Sequence, residues 1–295
     1  MPPASPTAEP PGAGSALEAF FLPAGPGRTG NRFGLCHRAQ GPVRGGVLYL
    51  HPFAEEMNKA RRMAALQARA LAADGWTVLL LDLAGCGDSS GDFADASWAD
   101  WQADVSLGLA WLRQQVDGPV WAWGLRAGGL LAAQAAAVPD GPDHLLLWQP
   151  PASGRLLLQQ FLRMRAAADM LDGGGKGVVE QLRRELAEGR PVEVAGYTLG
   201  AGLALGLDAA STRPPSGRAG HLVLMELSAA GHSLSPGVQR LADTWQSAGW
   251  QLQTAAVAGP SFWQTTEIET APALLPATLA ALDPISPRRP KAVHS

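Results

Sequence analysis

Apolar residues fall into two kinds of run along this chain. Short, nearly continuous runs recur: Gly45–Phe53 (GGVLYLHPF), Trp76–Gly85 (WTVLLLDLAG), Val120–Gly124 (VWAWG), His144–Pro150 (HLLLWQP), His221–Leu227 (HLVLMEL) and Trp250–Gly259 (WQLQTAAVAG). The first, almost unbroken, predicts a strand covered on both faces, as in a parallel sheet; the second predicts another buried strand, and the other four predict further strands. Between them the apolar positions recur every three or four residues. Such a stretch from about Asn58 to Ala73 stops at Asp74-Gly75, a helix-ending signal. In another, Trp98, Trp101, Val105, Leu109, Leu112 and Val116 make one helix face, and Pro272–Leu282 predicts a last helix. Phe20–Arg38 predicts one or two edge strands.

Strand and helix alternate, which predicts an α/β fold: a mostly parallel sheet with helices on both faces. The alternation stops between Pro151 and about Pro215. There "SGRLLLQQFLRMRAAADM" and "KGVVEQLRRELAEG" read as helical, and "AGYTLGAGLALGLDAA" is apolar and glycine-rich. This segment, about 151–215, is expected to be a cap inserted over the strand ends. No internal repeat is visible. The expected domain spans 18–283. The flanking segments, 1–17 and 284–295, are rich in Pro, Ala, Gly or basic residues and read as disordered tails.

Composition narrows the function classes. The chain has 295 residues, 46% hydrophobic and 17% charged, which is globular. A net charge of −3 supplies no field for nucleic acid. No apolar run reaches membrane-span length, and the N-terminus lacks the basic and apolar regions of a secretory signal, so a cytoplasmic protein is expected. The two cysteines, Cys36 and Cys86, read as free thiols. The six histidines show no metal-ligand spacing, so neither metal nor cofactor is expected. "GGGKG" (Gly173–Gly177) lacks the spacing of a phosphate loop and reads as a hinge.

The sharpest local signal is Gly124-Leu125-Arg126-Ala127-Gly128, a tight turn between a strand and an alanine-rich helix. It differs by one residue from G-x-S-x-G, the nucleophile elbow of α/β-hydrolases. Two further stations agree in order: His51-Pro52 after the first buried strand, and the glycine-rich "DLAGCGDSSGDF" after the second. From about Arg44 to Leu282 the chain resembles the α/β-hydrolase superfamily. More narrowly, "LHPFAEEMNKARRMAALQARAL", "LDLAGCGDSSGDF" and "GPSFWQTTEIE" are similar to the exosortase A system-associated hydrolase 2 family. That resemblance implies an α/β-hydrolase fold, hydrolysis of an ester, thioester or acyl group, and partners among exosortase and exopolysaccharide proteins.

The residues at the three triad stations do not follow the superfamily pattern of Ser, then Asp or Glu, then His. Arg126 stands at the nucleophile. No carboxylate stands near Ala230 or Gly231, although Glu226 precedes them inside a strand, and Phe262-Trp263 occupies the histidine region. Arginine offers only donors and stays charged, so it cannot be the nucleophile. A fork-shaped cation at a helix N-terminus suits a carboxylate or phosphate. The alternative is an internal salt bridge to Glu55, Glu56 or Asp88, and both readings stand. The expected ligand-binding set is therefore Leu125, Arg126, His51, Glu55, Glu56 and Asp88, around a small anionic or acyl ligand. A relocated nucleophile is the second functional reading: Cys86 or Ser89, served by His51 or His232. Each has a structural alternative. Cys86 fits as a small buried residue in a turn, Ser89 and Ser90 as turn-closing hydroxyls, and His51 and His232 as loop residues.

Overall fold

The computed structural model describes residues 16–171, 177–229, 231 and 233–285. Among the described residues, ten strands and eight helices run in the order β1(Leu17–Pro23), β2(Asn31–His37), β3(Gly45–Leu50), α1(Glu55–Ala73), β4(Trp76–Leu81), α2(Trp98–Gln115), β5(Val120–Leu125), α3(Ala127–Ala135), β6(His144–Trp148), α4(Gly154–Leu171), α5(Val178–Ala187), β7(Val192–Val194), β8(Tyr197–Leu199), α6(Ala201–Ala209), β9(His221–Ser228), α7(Pro236–Ser247), β10(Gln251–Ala258) and α8(Leu274–Leu282). Eight strands form one sheet in the order β1-β2-β4-β3-β5-β6-β9-β10. Pairing is antiparallel from β1 through β2 to β4 and parallel across the rest.

The continuous apolar runs are buried for the expected reason. Every residue of β3 and of β5 is buried, because helices cover both faces. One face packs on α2, α3 and α7, with Trp101, Leu109, Leu130 and Trp245 in its core. The other packs on α1 and α8, with Met63, Leu71, Trp121, Trp123, Trp148 and Leu274. Side chains alternate along β5: Trp121, Trp123 and Leu125 enter the second core, Val120 and Ala122 the first.

The segment between β6 and β9 carries α4, α5, the β7–β8 hairpin and α6. Its two ends meet at a bridge between Ser153 and Ser211, with Gly154 N donating to Ala210 O at 2.9 Å. The two ends of the insertion therefore lie side by side. Its α4 lies against the β5–α3 turn, where Gln160 reaches Arg126.

Several boundaries differ from the sequence reading. β2 is not an edge, since β4 pairs on its other side, and β1 alone closes that end. The first two buried runs shorten to β3 and β4, because the chain leaves the sheet at Leu50 and Leu81 to form loops at the strand ends. α1 begins at Glu55 rather than Asn58: an acidic first turn complements the positive helix end, so the polar residues there belong to the helix. Leu17 starts β1, one residue inside the expected tail, and Ile285 packs against the second core beyond the expected domain end. The expected hinge lies outside the described residues except Gly177, which has a positive φ of 76°. Among the described residues, no helix is long and apolar enough to cross a membrane.

Candidate functional site

The turn after β5 reverses the chain within a few residues, and two glycines permit it. A Cβ on Gly124 would lie 2.4 Å from the carbonyl carbon of Gly128, and one on Gly128 would lie 2.0 Å from Leu50 O. Between them Arg126 adopts φ 53° and ψ −114°, a region costing a non-glycine residue roughly 1–3 kcal/mol. The turn is pinned by Arg126 N donating to Trp148 O at 3.1 Å and Gly129 N to Arg126 O at 2.9 Å. The strained elbow geometry is thus present, with arginine at its apex.

The Arg126 side chain is nearly buried and meets three elements: α1, α4 and the loop after β10. Its Nε donates to both Glu56 carboxylate oxygens at 3.2 and 3.3 Å, and its Nη2 to Glu56 Oε1 at 3.0 Å. Nη2 also donates to Gln160 Oε1 of α4 at 3.0 Å. The guanidinium carbon sits 5.7 Å from the centre of the Trp263 ring, a cation–π contact. Burial raises the Glu56 pKa above the ordinary glutamate value, against the opposing pull of Arg126, Gln264 and Lys59. Of the three carboxylates expected near Arg126, Glu56 is its partner. Glu55 lies beside it, with Oε2 buried and carrying no hydrogen bond. Asp88 is exposed and does not line the cavity around Arg126; its backbone N–H donates to Asp82 Oδ2 at 3.0 Å.

Above this pair opens a cavity of about 400 Å³. Glu55, Glu56, Lys59, Arg126, Gln160 and Gln264 form its polar part, and Phe53, Leu157, Phe161 and Met164 its apolar part. Leu125 is not in its wall; the side chain is buried in the second core. Gln160, Gln264 and Trp263 had no place in the expected site. The α4 residues did leave a trace, since Leu157, Gln160, Phe161 and Met164 recur at helical spacing.

The other triad stations are filled by structural groups. Glu226 is buried, and its Oε2 accepts from Ser235 N at 2.6 Å, anchoring the start of α7. Phe262 and Trp263 are buried at the base station and pack on each other edge to face. Ala230 and His232 lie outside the described residues.

Among the residues considered as a relocated nucleophile and base, Ser89, Cys86 and His51 are engaged away from the cavity above Arg126. Ser89 Oγ donates to Asp82 O at 2.5 Å and accepts from Phe33 N at 2.8 Å. Ser90 Oγ accepts from Asn31 N at 3.0 Å. Cys86 is buried, and burial, with Asp82 and Asp104 nearby, pushes its thiol well above the ordinary range, which disfavours the thiolate. His51 is buried against Trp101, with Nδ1 2.8 Å from Pro52 O. Burial lowers its pKa, and it lines a separate cavity of about 160 Å³ with Tyr49, Arg61 and Asp82. None of Ser89, Cys86 and His51 lines the cavity above Arg126.

Comparison with known proteins agrees with this architecture. Residues 44–154, from just before β3 to the start of α4, match the model of the X-Pro dipeptidyl-peptidase (S15) family. The thermostable monoacylglycerol lipase of Bacillus sp. (strain H-257) is 31% identical over 136 residues, which is 46% of this chain and 48% of that protein. The alignment thus spans about half the length of that relative. Among solved structures, the alpha/beta hydrolase GrgF from Penicillium sp. sh18 aligns with a TM-score of 0.58 at 16% identity, over 92% of this chain and 99% of that one. XC6422 from Xanthomonas campestris, described as an a/b serine hydrolase without lid, aligns with a TM-score of 0.55 at 18% identity, over 96% and 100%. Est1E from Butyrivibrio proteoclasticus, solved with ferulic acid bound, aligns with a TM-score of 0.58 at 13% identity, over 90% and 99%. The structural likenesses extend over nearly the whole chain and show that it has the α/β-hydrolase fold, while each of the two sequence matches covers less than half of it.

Proposed function

We propose that this chain is a non-catalytic member of the superfamily that holds a small anionic or acyl ligand in the cavity above Arg126. One observation carries the reading. The elbow keeps its strained backbone, yet its side chain is a guanidinium already bound to Glu56, beneath an open cavity. A nucleophile needs an electron pair and a base to expose it; Arg126 has neither. Arg126 Nη1 makes no hydrogen bond among the described residues, so one face of the cation is available to a ligand. The segment 151–215 serves as a cap, since α4 supplies most of the apolar wall. A place in the cytoplasm beside exosortase A and exopolysaccharide proteins is supported by the three strings similar to the exosortase A system-associated hydrolase 2 family.

The test is direct. Purified protein is incubated with a serine-directed fluorophosphonate and with activated esters of short and medium acyl chains. The expected result is no label and no turnover above the protein-free blank. Stoichiometric labelling at Ser89 or Ser90 overturns the reading in favour of an active hydrolase with a relocated nucleophile. Thermal-shift measurements with sugar acids and alkyl carboxylates then test the binding half, with a raised melting temperature expected for at least one anionic ligand.

A further inference from the structure

The cavity above Arg126 is charge-balanced before any ligand enters. Glu55 and Glu56 oppose Lys59 and Arg126. An anion arriving alone leaves a net negative charge in a partly enclosed site, where unbalanced charge is costly. Balance returns if one carboxylate takes a proton.

Glu55 is the group placed to do so. Glu56 is held at both oxygens by Arg126, whereas Glu55 Oε2 is buried without a partner. Burial raises the Glu55 pKa; its own backbone N–H lowers it, the neighbouring Glu56 raises it further, and Lys59 and Arg126 oppose the rise. The charged and titratable groups facing Glu55 are Glu56 and Lys59 from α1, Arg126 from the elbow and Tyr197 from β8. α4 and the loop after β10 bring only uncharged side chains to this cavity, Gln160 and Gln264 among them.

The rest of the cavity sets the ligand's body. Phe53, Leu157, Phe161 and Met164 make an apolar wall in a space of about 400 Å³. At roughly 30 Å³ per small group, the share of one liquid water, that volume takes on the order of a dozen heavy atoms. A sugar acid would set its hydroxyls against this wall; an alkyl chain matches it.

We propose that the ligand is an amphiphilic monocarboxylate, its chain along Phe53, Leu157, Phe161 and Met164, and that Glu55 takes up one proton as the ligand binds and donates it in a hydrogen bond to the ligand carboxylate. The proton comes from solvent, and no covalent bond is made or broken apart from its attachment to Glu55. Lys59 and Arg126 Nη1 supply the balancing cations. This rests on the reading of the chain as a ligand-holding protein.

The experiment is calorimetric titration of the full chain with octanoate, between about pH 8 and about pH 6, in two buffers of different ionisation enthalpy. The expected result is uptake of close to one proton per octanoate, with affinity rising up to about tenfold for each pH unit lowered. Glu55→Gln keeps an N–H donor without a titrating proton, so octanoate binding is expected to persist with little pH dependence and no proton uptake. Octanol, of the same length without the charge, is expected to bind without proton uptake. Octanoate binding without proton uptake, or the same uptake in Glu55→Gln, overturns the proposal. Binding of glucuronate but not octanoate overturns it while leaving the ligand-holding function standing. Binding of neither acid removes both.

Discussion

Arg126 and Glu56, 70 residues apart in sequence, meet as a nearly buried, two-pronged ion pair, with Nη2 3.0 Å and Nε 3.2 Å from Glu56 Oε1. Both side chains are about nine-tenths buried, so removing one partner strands the other away from water. Arg126→Ala is expected to destabilise the fold by about 3–5 kcal/mol, the scale for an orphaned buried charge. Adding Glu56→Leu to Arg126→Met should restore most of that loss, because neither charge is then stranded. Equilibrium denaturation of both single variants and the double variant checks this. Strictly additive losses would mean that the two side chains do not depend on each other.

The turn beneath that pair sets a sharper limit. A methyl group on Gly128 would sit 2.0 Å from Leu50 O, inside the packed crossing of β3 and the start of α3. No flexible side chain stands there to give way. Gly128→Ala is expected to yield little soluble protein, whereas Gly177→Ala, with no atom within 4 Å of its added Cβ, should remain soluble despite the cost of its positive φ. Comparing soluble yield and far-ultraviolet circular dichroism of the two variants tests the difference. A well-folded Gly128→Ala would show that the turn can open.

Strands β3 and β5 were legible because burial on both faces leaves no polar gap in their sequence, whereas β10, at the sheet edge, carries Gln251, Gln253 and Thr254 and is mostly exposed or half-buried. β2 was less so: its alternating burial resembles an edge strand, and only tertiary pairing with β4 places it inside the sheet. The β7–β8 hairpin, three residues per strand, is too short to show a period. At the site, the sequence placed Arg126 at the elbow but could not choose its partner. Glu55 and Glu56 are neighbours on one helix, about 100° apart in direction, and the rotation of α1 decides which one faces the elbow. Asp88 does not take that role: it is exposed on its turn, where its backbone N–H donates to Asp82. Gln160 was marked only by its helical spacing with Leu157, Phe161 and Met164, and Gln264, uncharged and in a loop, by nothing local.

Ser89 offers a test of the glycine-rich loop as structure. Its hydroxyl bridges Asp82 O and Phe33 N, tying the loop to β2. Ser89→Ala leaves that backbone N–H and carbonyl without their partner, and is expected to cost about 1–3 kcal/mol of stability. Ligand-induced thermal shifts should be retained, because Ser89 is not in the cavity wall. Loss of ligand response with unchanged stability would reverse this assignment.

Both thiols should be silent in the folded protein. Cys36 and Cys86 are buried, and burial pushes the Cys36 thiol up to about 11 from its ordinary 9.0. Near pH 8 the thiolate fraction is small, so a thiol-directed aromatic disulfide should react slowly with native protein and with two equivalents after denaturation. The linkage has a definite sign: a raised folded-state pKa means that the unfolded chain loses its proton first. The Cys36 contribution to stability is intact below about pH 9 and declines as pH rises toward 11. Cys36→Ala should flatten the pH dependence of stability in that window. Rapid modification of native protein near neutral pH would contradict the burial.

Acid should weaken the fold through a histidine pair at the starts of β6 and β9. His144 and His221 pack edge to face with ring centres 4.9 Å apart, and His221 N–H donates to His144 Nδ1 at 3.2 Å. That nitrogen must be unprotonated to accept. Burial, then the neighbouring His221, lowers the His144 pKa below 6.5, and burial lowers that of His221. With depressed folded-state values, the unfolded chain takes up protons first as pH falls. The pair's contribution is therefore fully present above about pH 6.5 and is lost as pH falls through the lower folded-state values. Protonating His144 at Nδ1 also removes its backbone bond and places a cation beside His221. His144→Asn can keep an acceptor that does not titrate, so its melting temperature should fall less than that of the wild type between about pH 7.5 and about pH 5.5. His37 and His51, whose pKa values burial also lowers, titrate in both proteins and cancel in the comparison. Parallel melting curves for the two proteins across that range would assign the acid sensitivity to other groups.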